Sequence, residues 1–255
     1  PAVDLIHPDD VEAAFARRAA VLAGATGERE FRVLRDDGTV LWMAIDVRPI
    51  ATADGVGRVV AARDISDRVT SRNALEYVLE HDQLTGLPSR RALTELLDSR
   101  LTQLRSGAAL AVIYIDVDGL SAINEGLGQG AGDVVLVAVA DRIAECVVDE
   151  HFLARGSGDE FAIVLPSLSS GDEAAAVAEH VLAAVRPVVD YEGHEITPTV
   201  SIGIAIATRT GDGRQVLKDA ALGARQAKGA GGDCQVFADP ALALVAEHRV
   251  SLEAD

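Results

Sequence analysis

The chain has 255 residues, 49% of them hydrophobic, enough for one large domain or two of ordinary size. Its 23 Lys and Arg stand against 40 Asp and Glu, a formal charge of −17 that argues against a broad nucleic-acid surface. An acidic chain that handles phosphates must do so through metal ions and a few local cations. Cys146 and Cys234 lie in apolar or small-residue surroundings, without CxxC or Cys/His spacing. No apolar run reaches the roughly 20 residues of a membrane span, and no signal peptide is visible. A reduced, cytoplasmic protein is therefore expected. The chain begins at Pro1 without methionine, which reads as a piece of a longer protein; attachment to a membrane through other segments is left open.

A helix is expected over roughly Asp9 to Ala23, and then strands. Glu30–Leu34 and Val40–Val47 flank Asp36-Asp37-Gly38-Thr39, and Asp-Gly between apolar runs signals a hairpin. A second turn, Ala53-Asp54-Gly55, precedes Arg58–Ala62. Three antiparallel strands and a helix account for residues 1–65, a small core for an independent domain. Trp42, the single tryptophan, reads as core rather than as a cofactor contact. Ser66–Glu80 has no Gly or Pro and carries Val69, Leu75, Val78 and Leu79 at helical spacing. It reads either as a passive linker or as a signalling helix that sets the geometry between two protomers.

From His81 the pattern becomes alternating helix and strand, which argues a layered α/β domain over 81–240. Ser89 can cap a helix with the apolar face Leu93, Leu96, Leu97, Leu101 and Leu104. Ala109–Ile115 is apolar on both faces, hence a central, covered strand. It ends in Asp116-Val-Asp118. Gly132-Asp133 opens a valine-rich segment, Val134–Val148. Its β-branched residues favour strand, but its length and the spacing of Val135, Val139, Ile143 and Cys146 favour helix, and helix is expected. Ser157-Gly158-Asp159-Glu160 separates the apolar runs Phe152–Ala154 and Phe161–Leu165. Ser170 and Glu173 form a capping box before a helix bearing Val177, Val181, Leu182 and Val185. A strand over Thr199–Ala207, a helix over Gln215–Lys228 and a helical tail or linker over 241–255 complete the chain.

Carboxylates at a strand end that face carboxylates at a hairpin tip would hold a hard cation, which neutralises a nucleotide's phosphates. Each residue alone has a plainer reading. Asp116 could end a strand, and Asp159 could belong to an ordinary turn. Asn124 could be a turn residue, Asp133 a helix-start carboxylate and Lys228 a solvated helix-end cation. Asp116 and Asp159 found together favour a site.

Those residues carry a family resemblance. His81-Asp-Gln-Leu-Thr-Gly-Leu-Pro-Ser-Arg-Arg91 resembles the entry signature of GGDEF domains, which are diguanylate cyclases or their inactive relatives. Asp116-Val-Asp-Gly-Leu-Ser-Ala-Ile-Asn-Glu125, Gly128 and Gly132-Asp133 resemble the family's metal- and guanine-binding stretch. Arg155-Gly-Ser-Gly-Asp-Glu-Phe161 resembles the eponymous hairpin, and Val200–Ile204 and Ala227-Lys228 the later strand and the phosphate-binding lysine. His7-Pro-Asp-Asp10 and Asp64-Ile-Ser resemble the second half of a PAS domain, without a haem or flavin signature. The tail, Ser251–Asp255, is similar to a junction leading into an EAL phosphodiesterase domain.

The resemblance implies a central mixed sheet flanked by helices, preceded by an antiparallel PAS-like segment and a linker helix. It implies condensation of two GTP to cyclic di-GMP in a homodimer with Mg²⁺ or Mn²⁺, no nucleic acid being a partner. Asp116, the Val117 carbonyl, Asp159 and Glu160 would hold metal, with Asp159 and Glu160 catalytic. Asn124, Asp133, Ser157, Gly158, Leu120 and Lys228 would surround the nucleotide. Several positions depart from the family's pattern. Ser157 stands for the first hairpin glycine, at a strain cost if its φ is positive. Ser121 stands for a phosphate-facing Lys, Gly232 for an Arg, Leu120 for a Phe and Gln129 for a His. Val148 and His151 occupy the Arg-x-x-Asp product-inhibition positions, so no feedback, and no allosteric residue, is expected there. A catalytically degenerate, GTP-binding domain that regulates a downstream EAL phosphodiesterase is the alternative, and a dimerisation scaffold a third.

Overall fold

The computed structural model describes residues 5–25, 27–52, 55–105, 108–168, 170–207 and 212–238. The chain divides into two compact units, Pro1–Tyr77 and Val78–Asp255. In the first, Pro8 opens a single 3₁₀ turn, Pro8–Asp10, which runs into helix α1 (Val11–Leu22). Pro suits the first turn because its missing N–H would lack a partner there anyway. Strand β1 (Glu28–Leu34) pairs antiparallel with β2 (Val40–Thr52), and β2 with β3 (Gly55–Asp64). The Asp37-Gly38 step turns the chain as expected: Gly38 has φ 83°, and Asp37 accepts the Thr39 amide at 2.8 Å. The expected turn at Ala53-Asp54 lies outside the described residues.

Asp10 fastens the helix end to the sheet. Its carboxylate accepts the Arg32 backbone amide at 2.8 Å and the Arg32 guanidinium at 2.7 and 3.1 Å. These bonds to Arg32 lower its pKa to about 2. Ala44, Ile65 and Val69 form a small buried cluster, with Trp42 packed against it, so Trp42 is core as expected. Helix α2 (Ser66–Glu80) follows, over the residues its sequence predicts. It buries Val69 but leaves Leu75, Val78 and Leu79 exposed.

In the second unit, Ser89 caps α3 (Arg90–Gln103), accepting the Ala92 amide at 3.4 Å. Strand β4 (Leu110–Val117) leads into α4 (Leu120–Leu127), α5 (Gln129–Glu145), β5 (Phe152–Arg155) and β6 (Glu160–Leu165). Then come α6 (Gly171–Val185), β7 (Val189–Tyr191), β8 (His194–Ile196), β9 (Val200–Ala207), α7 (Gly213–Gly229) and β10 (Gln235–Phe237). The sheet order is β10-β9-β4-β6-β5, with β10 parallel to β9 and the remaining pairs antiparallel. β4 is central, as its two-sided apolar pattern predicts. Ala111, Ile113, Ile115 and Val117 face the core shared with α5 and α6. Leu110, Val112 and Tyr114 face α3 and α7. Asp116 shares the second parity.

The valine-rich segment is helical, but α5 starts at Gln129 rather than Val134. Gly128, at φ 88°, ends α4, and α5 begins at once beyond it. Ser170 takes the N-cap position of α6 without the expected side-chain bond. β7 and β8 form a hairpin that the sequence did not announce; Glu192 and Gly193 turn it with positive φ. The expected tail, 241–255, lies outside the described residues. Among the described residues, no helix is long and apolar enough to cross a membrane.

α7 lies with its backbone directly on β9. A Cβ at Gly203 would stand 2.0 Å from the Ala220 carbonyl and 2.2 Å from the Ala224 nitrogen. Gly203→Ala should therefore cost about 3 kcal/mol or more, because backbone must move. A fall in Tm of roughly 6–12 °C is expected in thermal unfolding of the second unit. For the first unit, Asp10 binds its proton more weakly folded than unfolded, so its contribution is present above about pH 4 and is lost as pH falls toward 2. Solvent screening of this partly exposed pair leaves about 1 kcal/mol. Asp10→Asn should flatten that part of the acid-unfolding curve, measured by urea titration near neutral pH and at about pH 2.5.

Candidate active site at the end of the central strand

The register sets Asp116 at the end of β4 opposite Glu160 of β6 and Ser201 of β9. Beyond the ladder, the Val117 amide donates to the Asp159 carbonyl at 3.0 Å and the Asp118 amide to the Thr199 carbonyl at 2.9 Å. The last turn of α7 brings Lys228 to the same place. Its Nζ pairs with Asp116 Oδ1, lies 3.8 Å from Asp159 Oδ2 and donates to the Val117 carbonyl at 3.5 Å. Asp116, Asp159 and the Val117 carbonyl thus converge on one ammonium. Burial pushes the Asp116 carboxyl up; Lys228 opposes this, while Asp159 and Glu160 add to it, and the result stands above the usual carboxylate range. Burial alone would lower Lys228, but Asp116, Asp159 and Asp118 hold its charge and raise it. The donors around this ammonium are all oxygens, the set a hard divalent cation takes. Among the described residues, no three His, Cys, Asp or Glu side chains form a ready cluster; the cage is two carboxylates and a carbonyl.

Glu160 is not one of these groups. Its Oε2 accepts from the Ser157 hydroxyl at 3.0 Å and lies 3.5 Å from the Arg90 guanidinium. The Tyr114 phenol also bonds to Glu160; burial first, and this carboxylate second, raise the phenol's pKa. Among described non-glycine residues only Glu192 and Asp233 have positive φ, so Ser157 fits the hairpin without the strain considered above. Gly158 has φ 64°, the conformation glycine takes at little cost.

Arg155 is buried and pins the hairpin. It donates to Asp82 at 2.7 Å and to the Gly158 carbonyl at 2.6 Å, its guanidinium 5.9 Å from the Phe161 ring centre. Asp82 also accepts from the Thr85 amide and hydroxyl at 2.9 and 2.8 Å. Burial works to raise Asp82, yet Thr85 and Arg155 together hold it below the usual range.

Asn124 and Asp133 stand at the junction of α4 and α5. Asn124 Oδ1 is buried without a hydrogen-bond partner and lies over Gly132, where a Cβ would meet it at 2.1 Å. Asp133, the next residue, is exposed. Leu120, expected beside the nucleotide, is 8% exposed and packs in the core beneath α4 and α5. Ser121 is exposed. Gly232 has φ 77°, and its absent Cβ would stand 3.0 Å from Asp118 Oδ2. A side chain there meets both an unfavourable backbone and a carboxylate. Val148 is exposed, and His151 Nδ1 is buried without a hydrogen-bond partner.

The sequence reading gave Asp118, Tyr114 and Arg90 no role. Asp118 accepts from Ser201 Oγ at 2.7 Å, Thr199 Oγ1 at 2.9 Å and the Asp233 amide at 3.1 Å. It ties β4, β9 and the loop after α7 together. Ser201, wholly buried in an apolar strand, was the available sign that a polar partner lay opposite.

Arg155→Ala should strand Asp82 partly buried and free the hairpin tip, at a cost of about 3 kcal/mol. Denaturant unfolding should show that loss, and Arg155→Lys should recover only part of it, because an ammonium cannot span Asp82 and Gly158 as a planar fork does.

Comparison with known proteins places this arrangement. Residues 79–234 match the family described as diguanylate cyclase, GGDEF domain, and residues 1–62 match the PAS fold. An uncharacterized protein of Mycobacterium tuberculosis (strain H37Rv) is 37% identical over 190 residues, 74% of this chain and 30% of that protein. The bifunctional diguanylate cyclase/cyclic di-GMP phosphodiesterase MucR of Pseudomonas aeruginosa is 33% identical over 168 residues, 64% of this chain and 24% of that protein. The chain therefore spans less than a third of either relative. The crystal structure of the GGDEF domain of TpbB from Pseudomonas aeruginosa superposes with a TM-score of 0.58 at 32% identity, covering 61% of this chain and 98% of that one. By the family match, the sheet order and the hairpin that ends in Asp159 and Glu160, this chain belongs to the GGDEF family and carries a PAS-fold region before that domain.

Proposed function

We propose that the chain is a diguanylate cyclase module, condensing two GTP to cyclic di-GMP and pyrophosphate under control of its PAS-like unit. The observation that carries this reading is the convergence of Asp116, Asp159 and the Val117 carbonyl on the Lys228 ammonium. A cation already sits among oxygens alone, so Mg²⁺ or Mn²⁺ fits the donor set. Asp116, Val117 and Asp159 would hold it, and bound there it would neutralise charge on the triphosphate. Lys228, released from the carboxylates, pairs with phosphate as a point charge. Glu160, held by Ser157, Arg90 and Tyr114, is the candidate acceptor for the proton of the attacking 3′-hydroxyl. Asn124 offers an unpartnered carbonyl oxygen to the guanine edge, with Asp133 beside it.

Each unit of 81–240 holds one GTP, so turnover requires two copies to meet. The helix over 66–80 connects the sensor, 1–65, to the catalytic part and sets how they meet. The cytoplasm, where GTP is made, is the matching compartment.

A second reading is a GTP-binding domain without turnover that regulates a phosphodiesterase beyond residue 255. Two uncharged positions favour it, Ser121 and Gly232, because less positive charge then meets the phosphates. MucR, named for both activities, is in keeping with only the phosphodiesterase half of that reading. The test is incubation of the chain with GTP and Mg²⁺ or Mn²⁺, scoring linear and cyclic products. Wild type should form cyclic di-GMP, and Asp116→Asn should lower the rate by roughly a hundredfold or more with unchanged circular dichroism. GTP binding with no product from wild type would select the second reading.

A further inference from the structure

A cavity of about 290 Å³ opens between α3 and α7, on the face of the sheet that carries Tyr114. Arg90 and Thr94 line it from α3, and Arg214, Leu217, Lys218 and Ala221 from α7. Three cations therefore converge on one hollow with no carboxylate in its lining, in a chain of net charge −17. The acids of these two helices are engaged elsewhere. Glu95 pairs with Arg91, Asp98 caps α7 through the Gly213 amide, and Asp219 accepts from Gln215. Arg214 and Lys218 form no ion pair among the described residues. Thr94 donates to the Arg90 carbonyl, so the hollow offers ligands its guanidinium and ammonium groups over an apolar floor of Leu217 and Ala221. Arg90 meets Glu160 at 3.5 Å, but Arg214 and Lys218 have no counterion among the described residues, and an anion of two or more charges relieves the repulsion among the three.

We propose that this cavity binds a small phosphate-bearing anion, held by Arg214, Lys218 and Arg90. The volume sits near the lower end of small-ligand sites, roughly 300 Å³, which selects pyrophosphate or a compact sugar phosphate over a nucleotide. Arg90 also reaches Glu160 at 3.5 Å, so an occupant competes with Glu160 for that guanidinium. The lining does not include Asp116, Asp159 or Lys228, although Arg90 and Tyr114 also touch Glu160.

The experiment is calorimetric titration of the whole chain with inorganic pyrophosphate, and separately with fructose 1,6-bisphosphate, in EDTA so that no metal-held nucleotide site contributes. Wild type should bind at least one of them at millimolar concentration or below, and the tighter of the two identifies which source supplies the phosphate. Arg214→Ala/Lys218→Ala should weaken that binding at least tenfold, its circular dichroism and Tm unchanged. Arg225→Ala, which removes an exposed cation of α7 outside the cavity lining, should bind as wild type does. Absence of binding for both anions, or equal affinity in the double variant, overturns the proposal. Loss of binding in Arg225→Ala alone would place the anion elsewhere on α7 and overturn it too.

Discussion

Two aspartates that end neighbouring segments of a sheet cannot stay close and ionised in a half-buried place unless a cation stands between them. Here Asp116 and Asp159 meet that condition through Lys228. At about 4 Å, one opposite charge offsets several kcal/mol of repulsion and desolvation where water is partly excluded. The surrounding elements hold these three groups in register. β4 carries Asp116, the hairpin after β5 presents Asp159, and α7 delivers Lys228 from the other side. The charge balance at this place is struck between two carboxylates, one carbonyl and one ammonium.

Asp159 and Glu160 are neighbours in sequence but enter different surroundings. One reaches the Lys228 ammonium; the other is taken by Ser157, Arg90 and Tyr114. Environment divides two chemically similar carboxylates into separate duties, a recurring device in acid–base sites. The division is stable because Arg155 fixes the hairpin tip through Gly158 and anchors it on Asp82, a residue 73 positions earlier. Asp118 performs the matching task on the far strand, gathering two hydroxyls and one amide.

Much of this was legible because strong patterns carried it. The two-sided apolar run of β4, the helical spacing of α3, and the Asp37-Gly38 turn each follow from local chemistry. What escaped notice depended on partners distant in sequence. The burial of Leu120 is set by the first turn of α4 packing on the core, which its own segment does not announce. The start of α5 was misplaced because valines signal more loudly than the Gly128 break that precedes them. β7, β8 and β10 have three residues each, too few for alternation to show. That Gly132 is small for the sake of Asn124 is a fact of packing between two helices, invisible in either segment alone.

The bare contact of Gly203 with α7 has a mechanical consequence. Most helices ride on a sheet over a cushion of side chains, which lets them shear by an ångström or so. This one has no cushion at that point, and its main-chain atoms interlock with those of β9. Lys228 stands four residues beyond Ala224 on the same helix. At that point α7 cannot slide along β9 unless the strand moves with it, so helix and strand shift as one piece or not at all.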